Sequence, residues 1–209
     1  MRRLIIEGIT GAGKSTIYKK LVEKIDVSFG NNLLAFDEYL TWRLYEKKSD
    51  IEKFSKETFY NIINFMSWII TEYSYANLQN TSKGRDEELC CLIEGFHWNA
   101  YVRGILTISD FYEIENKLHE MGFEIVYLTL SDDQIKIRSV IETRKYRSPG
   151  WSDYLSTIGS SDDDIALKFR DRQEKFTQLY EKTVLSKMQI ITDEKKWDEY
   201  VEQIVMRRG

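Results

Sequence analysis

The chain is poor in residues that staple, kink or ligate. Among its 209 residues there are one proline, two cysteines and two histidines. Cys90 and Cys91 are adjacent inside an apolar run, which suits neither an ordinary disulfide nor a metal site. Histidines stand only at 97 and 119, so no zinc cluster can be read from the spacing. No apolar stretch approaches the roughly 18–20 residues of a membrane span. Met1-Arg2-Arg3 leads into only a short apolar run before charge and glycine intervene. These absences predict a cytoplasmic protein without a membrane partner. An excess of positive charge is also missing. Lys and Arg number 30 against 34 Asp and Glu, a formal charge of −4, which argues against nucleic acid as a partner.

What is present is ordinary for a globular protein, with 42% hydrophobic and 31% charged residues. The length predicts one domain over 1–209, and no Pro/Ser/Gly-rich linker divides it. Short apolar runs alternate with stretches at helical spacing, the pattern of a parallel α/β sheet. The predicted strands are Leu4–Glu7, Leu33–Asp37, Leu89–Glu94, Glu124–Leu130 and Met188–Ile191. Predicted helices cover Lys14–Ile25, Lys53–Leu78, Ser109–Met121, Ser131 to about Arg144, Asp164–Lys187 and Glu194–Met206. Ser131 with Gln134 reads as a capping box, and Thr192-Asp193 as N-cap residues of the last helix. Lys145–Asp163 reads as a mobile loop.

Gly8-Ile9-Thr10-Gly11-Ala12-Gly13-Lys14-Ser15 matches GxxxxGK[ST] between a predicted strand and a predicted helix. That context makes it a P-loop, whose inward N–H groups and following helix N-terminus hold a polyphosphate. Gly8, Gly11, Ala12, Gly13, Lys14, Ser15 and Thr16 form the expected nucleotide cradle. Lys14 is expected at the β and γ phosphates and Ser15 on Mg²⁺. A guanine switch is disfavoured, because no aspartate is followed three residues later by glycine and Asn116-Lys117-Leu118-His119 lacks the final aspartate of NKxD. A small phosphotransferase remains.

Ligands of an open parallel sheet sit at the carboxyl ends of its strands. Two predicted strands end in acids there, one in Asp37-Glu38 and the other in Glu94-Gly95. Phosphoryl transfer to a hydroxyl uses one carboxylate near the acceptor and one near the metal. Asp37 or Glu38 suits the first task and Glu94 the second.

EGITGAGKST at Glu7–Thr16 resembles the P-loop of the thymidylate kinase and deoxynucleoside kinase group. DEYLTW at Asp37–Trp42 resembles the EPVxxW-type segment of deoxynucleoside kinases, and LIEG at Leu92–Gly95 falls where those enzymes carry an ERS or DR motif. The resemblance implies a P-loop kinase fold: a five-stranded parallel sheet of order 2-3-1-4-5, flanked by helices, with a lid. It implies Asp37 as general base, with Glu38 as the alternative, Trp42 beside the acceptor, and Glu94 beside magnesium. ATP and Mg²⁺ are the implied cofactors. One departure is clear. Family members follow the acid with an arginine, whereas this chain has Gly95 and then Phe96-His97-Trp98-Asn99. Either another arginine, such as Arg103, supplies that charge, or the acceptor is not an ordinary nucleoside.

Arg138, Arg144 and Arg147 follow the fourth predicted strand, and their placement is similar to the family's lid arginines. Arg144 and Arg147 are assigned to the lid and Arg138 to its base. Arg170 and Arg172 stand two apart, so at most one shares the site face. His97 is a candidate for bonding an acceptor hydroxyl or phosphate. Asn61 and Asn64 share a helix face but read more simply as surface amides. Trp42, Phe59, Tyr60, Phe65, Trp68, Phe96 and Trp98 cluster where an acceptor is expected, mostly as core, with Trp42 the one assigned to the ligand. The long second helical stretch could also bury a homodimer face.

These readings predict an ATP- and Mg-dependent transfer of the γ-phosphoryl group to a hydroxyl of a nucleoside-like small molecule. The alternatives are a thymidylate-type monophosphate kinase, a kinase of an antibiotic or other secondary metabolite, and a non-catalytic nucleotide-binding module.

Overall fold

The structure, a computed structural model, describes residues 3–29, 33–38, 40–41, 56–79 and 89–207. Five parallel strands form one sheet in the order β2-β3-β1-β4-β5. They are β1 (Arg3–Gly8), β2 (Leu33–Phe36), β3 (Cys90–Glu94), β4 (Phe123–Thr129) and β5 (Ser186–Ile191). This is the predicted order. The central strands are apolar on both faces because helices cover both, whereas β2 and β5 lie at the edges and are only partly buried.

Helix α1 (Lys14–Phe29) lies against β1, β2 and β3, with α8 (Trp197–Met206) beside it. On β4 packs α4 (Ile108–Glu120), joined by α2 (Lys56–Gln79) and the short α3 (His97–Val102), which also meets α7 (Asp162–Lys182). Right-handed crossovers put these two groups on opposite faces, since β1 to β2 and β3 to β4 run in opposite directions across the sheet. Trp98 of α3 is fully buried against Tyr127 and Phe176, at ring separations of 5.6 and 6.1 Å. Burying each such ring stabilises the fold by about 1.5–3 kcal/mol.

The parallel register places strand ends together. Ile6 pairs with Glu94 and Phe36 with Ile93, so the turn at Asp37 opens beside Glu94 and both lie next to the loop leaving β1. Cys90 and Cys91 are free and buried, and burial pushes the Cys91 thiol up to about 12, which leaves it inert. Among the described residues no helix is long and apolar enough to cross a membrane.

Several local expectations are corrected. The stretch expected to be a loop contains helix α6 (Pro149–Ile158), because Pro149 occupies the first helical position after Ser148, where its missing N–H costs nothing. The helix after Ser131, α5, consists of an α turn at Asp132–Gln134, a π stretch at Ile135–Ile141 and a second α turn at Glu142–Tyr146. The wide π turn lets the consecutive residues Arg138, Ser139 and Val140 all face inward. No capping box forms at Ser131, whose N–H instead donates to Asp193 Oδ1 at 3.0 Å. The last helix begins at Trp197 rather than at Glu194, because Thr192 is engaged by the phosphate loop. Helix α7 starts at Asp162, where Ser161 Oγ accepts the Asp164 N–H at 3.2 Å, and ends at Lys182 before β5 opens.

Candidate active site

The segment Gly8–Lys14 joins β1 to α1, so its N–H groups collect at the N-terminus of α1. Tertiary contacts hold its carbonyls from behind. Ser139 Oγ donates to Thr10 O at 2.6 Å, and Thr192 Oγ1 donates to Ala12 O at 2.8 Å. Gly13 has φ +95°, and a Cβ there would lie 2.4 Å from the Trp197 ring, so no side chain is admitted. Lys14 is buried, with Nζ donating to Gly8 O at 2.9 Å and lying 3.9 Å from Glu38 Oε1.

Ser15 Oγ donates to Glu94 Oε1. Glu94 is 3% exposed, and this burial raises its carboxyl above the usual range, against the lowering effects of the Ser15 hydroxyl and the Lys14 charge. The Glu38 backbone N–H also bonds Glu94. Thr41, buried, donates its hydroxyl to Gly95 O at 2.8 Å, which ties the turn after β2 to the end of β3. Asp37 is exposed, and its Oδ1 accepts the Leu40 N–H at 3.1 Å, capping that turn. Burial first, and then the charges of Asp37 and Glu94, push the Tyr18 hydroxyl up to about 12.

Lys14, Ser15, Glu94 and the Asp37-Glu38 turn therefore come together. Among the described residues no group of three His, Cys, Asp or Glu side chains could hold a metal. A hydroxyl and one carboxylate are nonetheless the hard oxygen donors that Mg²⁺ takes when nucleotide phosphates supply others. Ser15 and Glu94 fit that ion.

Other expected residues are placed differently. His97 is fully buried, with Nε2 2.8 Å from Glu115 Oε1 and its ring stacked on Phe111. This corrects its reading as a substrate ligand, because the side chain is enclosed in the core. Arg138, expected at the base of the lid, is 3% exposed. It donates to Thr192 O and lies 5.3 Å from the Trp197 ring, at the flank of the phosphate loop. Arg144 Nε meets Asp162 Oδ1 at 3.2 Å, and Arg147 lies 4.2 Å over Trp151 of α6. Arg172 reaches the Tyr154 hydroxyl at 3.5 Å, and Arg170 points to Asp132 O at 3.4 Å. Arg103 is exposed at the end of α3. Asn61, Asn64, Phe65 and Trp68 are exposed on α2, while Phe59 and Phe96 pack together in the core with Trp98 nearby. Trp42 lies outside the described residues.

Three participants escape the motif reading. Tyr18 stands three residues after Ser15 on α1, a spacing that puts the two on one helix face and could have revealed it. Glu7 is fully buried one residue before the loop, and burial pushes its carboxyl up to about 7. Thr192 reads along the chain only as a cap, and no local pattern marks its bond to a loop 180 residues away.

No protein-family model matches the chain, and no curated protein matches it by sequence. Solved structures do match in fold. The YorR protein of Bacillus subtilis, in complex with phosphorylated GDP, shares 19% identity over 97% of this chain and 93% of its own, with a TM-score of 0.54. Shikimate kinase from Acinetobacter baumannii, in complex with shikimate, shares 16% over 98% of this chain and 91% of its own, with a TM-score of 0.55. Shikimate kinase from Bacteroides thetaiotaomicron shares 15% over 97% and 96%, with a TM-score of 0.54. With the sheet order and the loop between β1 and α1, these likenesses define the fold as that of the P-loop kinases.

Proposed function

We propose that this protein is an ATP- and Mg²⁺-dependent phosphotransferase that moves the γ-phosphoryl group to a hydroxyl of a nucleoside-like small molecule. The observation that carries the reading is the Ser15–Glu94 hydrogen bond beside Lys14, facing the acidic turn at Asp37-Glu38. In this reading the loop N–H groups and Lys14 hold the phosphates, and Ser15 and Glu94 take magnesium. Bound magnesium would neutralise charge on the β and γ phosphates. Asp37 accepts the proton of the attacking hydroxyl. Glu38, nearer Lys14, is the alternative base. Arg144 and Arg147 close over the moving group, and Arg138 stays at the loop flank beside Trp197. Two of the fold's likenesses are kinases of a hydroxyl-bearing acceptor, which supports the same class of reaction.

Two described features favour an uncharged acceptor over a monophosphate. The position after Glu94 is a glycine, and Asp37, Glu38 and Glu94 outnumber the single buried lysine beside them. The test is ADP release from Mg·ATP with a panel of nucleosides, nucleoside monophosphates and unrelated hydroxyl compounds, with Lys14→Ala as the blank. Turnover with uncharged nucleosides supports the reading. Turnover with monophosphates alone moves it to the thymidylate type, and silence with tight ATP binding makes the protein a nucleotide-binding module.

A further inference from the structure

We infer that Glu7 is a positioning residue that ties the acceptor side of the site, Gly95 to Asn99, to the strand carrying the phosphate loop. The inference rests on the phosphotransfer reading above and adds a residue to it. Glu7 is the last side chain before the loop glycine, and it is fully buried. Its Oε1 accepts the Phe96 N–H at 2.8 Å, and its Oε2 accepts Asn99 Nδ2 at 3.3 Å. The Trp98 N–H also bonds it. One carboxylate thus gathers donors from the first turn of α3, whose N-cap residue, Phe96, makes no side-chain cap bond of its own.

The consequence lies at Gly95. Its φ is +61°, and a Cβ built there would meet Asn99 Nδ2 at 3.5 Å and Glu38 Cγ and Oε1 at 3.6 Å. A donor held by Glu7 and a carboxylate that reaches toward Lys14 therefore flank the same glycine. Gly95 N donates in turn to Ile6 O at 2.9 Å, so the turn is fixed to β1 through both backbone and side chain. A carboxyl group is an expensive buried device, and an amide could not do the same work. Gln at position 7 would present its own N–H₂ to one of the three donors.

The charged and titratable groups around Glu7 come from four elements. They are Lys14 at the start of α1, His97 of α3 with Glu115 of α4 behind it, and Tyr127, its partner in register on β4. His97 Nδ1 is buried without a hydrogen-bond partner. Burial dominates these charges and holds the Glu7 carboxyl near 7, so its ionised form, which accepts all three donors, gains population through the neutral range.

The experiment uses Glu7→Gln and Asn99→Ala in the full chain. The first arm follows the Phe96 amide resonance against pH, with no ligand. A Phe96 amide resonance that moves when Glu7 is replaced by Gln is expected, because Phe96 N–H donates to Glu7 Oε1; a resonance unchanged by Glu7→Gln across the pH range overturns the inference. The second arm uses Mg·ATP and the hydroxyl compound with the highest turnover in the panel. Both variants are expected to lower kcat/KM for the acceptor by about tenfold while KM for Mg·ATP stays within twofold, because Ser139 and Thr192 still hold the phosphate loop. Equal effects on both substrates, or none on either, overturn the inference. If the wild type turns over no acceptor, the phosphotransfer reading falls by itself, and the amide arm alone decides whether Glu7 holds the turn.

Discussion

The two flanks of the phosphate loop are built in different ways. On the β4–β5 flank the loop is held by neutral hydroxyls and an indole, with one cation, Arg138, alongside. Ser139 and Thr192 hydroxyls take its carbonyls, Trp197 covers Gly13, and Arg138 is folded onto Trp197 and Thr192. On the β2–β3 flank stand ionisable groups: Asp37, Glu38, Glu94 and, behind them, Glu7. Hydroxyls and an indole keep one protonation state across the neutral range, which suits the polyphosphate binding proposed above. The second flank carries two buried carboxyls, Glu94 and Glu7, that burial raises above the usual range, beside the Asp37-Glu38 turn to which the proposed reading gives the acceptor's proton. The contacts that hold the loop are thus distinct from the carboxylates that stand beside it.

The comparison can be broken at its centre. Lys14→Ala removes the one cation that both flanks share and is expected to lower turnover by about 10³-fold, measured by ADP release. Loss of less than tenfold would mean that the phosphates are held elsewhere.

Glu7, on the acidic flank, should make stability depend on pH in the direction that its raised carboxyl sets. A carboxyl whose folded value is about 7 and whose ordinary value is 4.5 binds more protons folded than unfolded between those limits. Stability is therefore full below 4.5 and falls as pH rises toward 7, by about 3 kcal/mol at the end of the window. Urea denaturation from pH 4.5 to 8 measures this, and Glu7→Gln should remove most of the slope. Asp37→Asn tests the proposed base on the same flank and is expected to lower kcat by about 10²-fold with the fold intact. Unchanged turnover, with a loss in Glu38→Gln instead, would transfer the role to Glu38.

The smallest effects sharpen the contrast. Ser139→Ala and Thr41→Val each remove one buried hydroxyl bond, worth about 1 kcal/mol of stability by thermal unfolding. The first is expected to weaken Mg·ATP binding a few-fold and leave acceptor KM alone, and the second to do the reverse. Matching effects of the two would show that the flanks act as one unit.

Much of the fold was legible in the sequence, because buried parallel strands are continuous apolar runs and the loop between β1 and α1 has a fixed spacing of glycines and lysine. The errors share a cause. The spacing places Arg138 at the base of the lid, and the wide π turn that carries it inward beside Trp197 leaves no periodic mark. His97 was taken for a ligand, yet Glu115, 18 residues later, holds it in the core. Helix α6 was read as a loop because its proline and glycine count against helix everywhere except in the first turn.

By itself the sequence determined the phosphate loop, the alternation of buried strands and helices that makes a parallel sheet, and the acids at two strand ends. These follow from local spacing and from the period of apolar residues, which a chain carries with it before it folds. The strand order came from the resemblance to the kinase group and is seen in the sheet itself. Only the tertiary structure decided which side chains serve the loop. Ser139 and Thr192 reach it from 129 and 180 residues away, and Glu7 gathers donors 89 and 92 residues distant. The physical reason is burial: a polar group removed from water must find a partner in space, and no spacing along the chain states which one it will be.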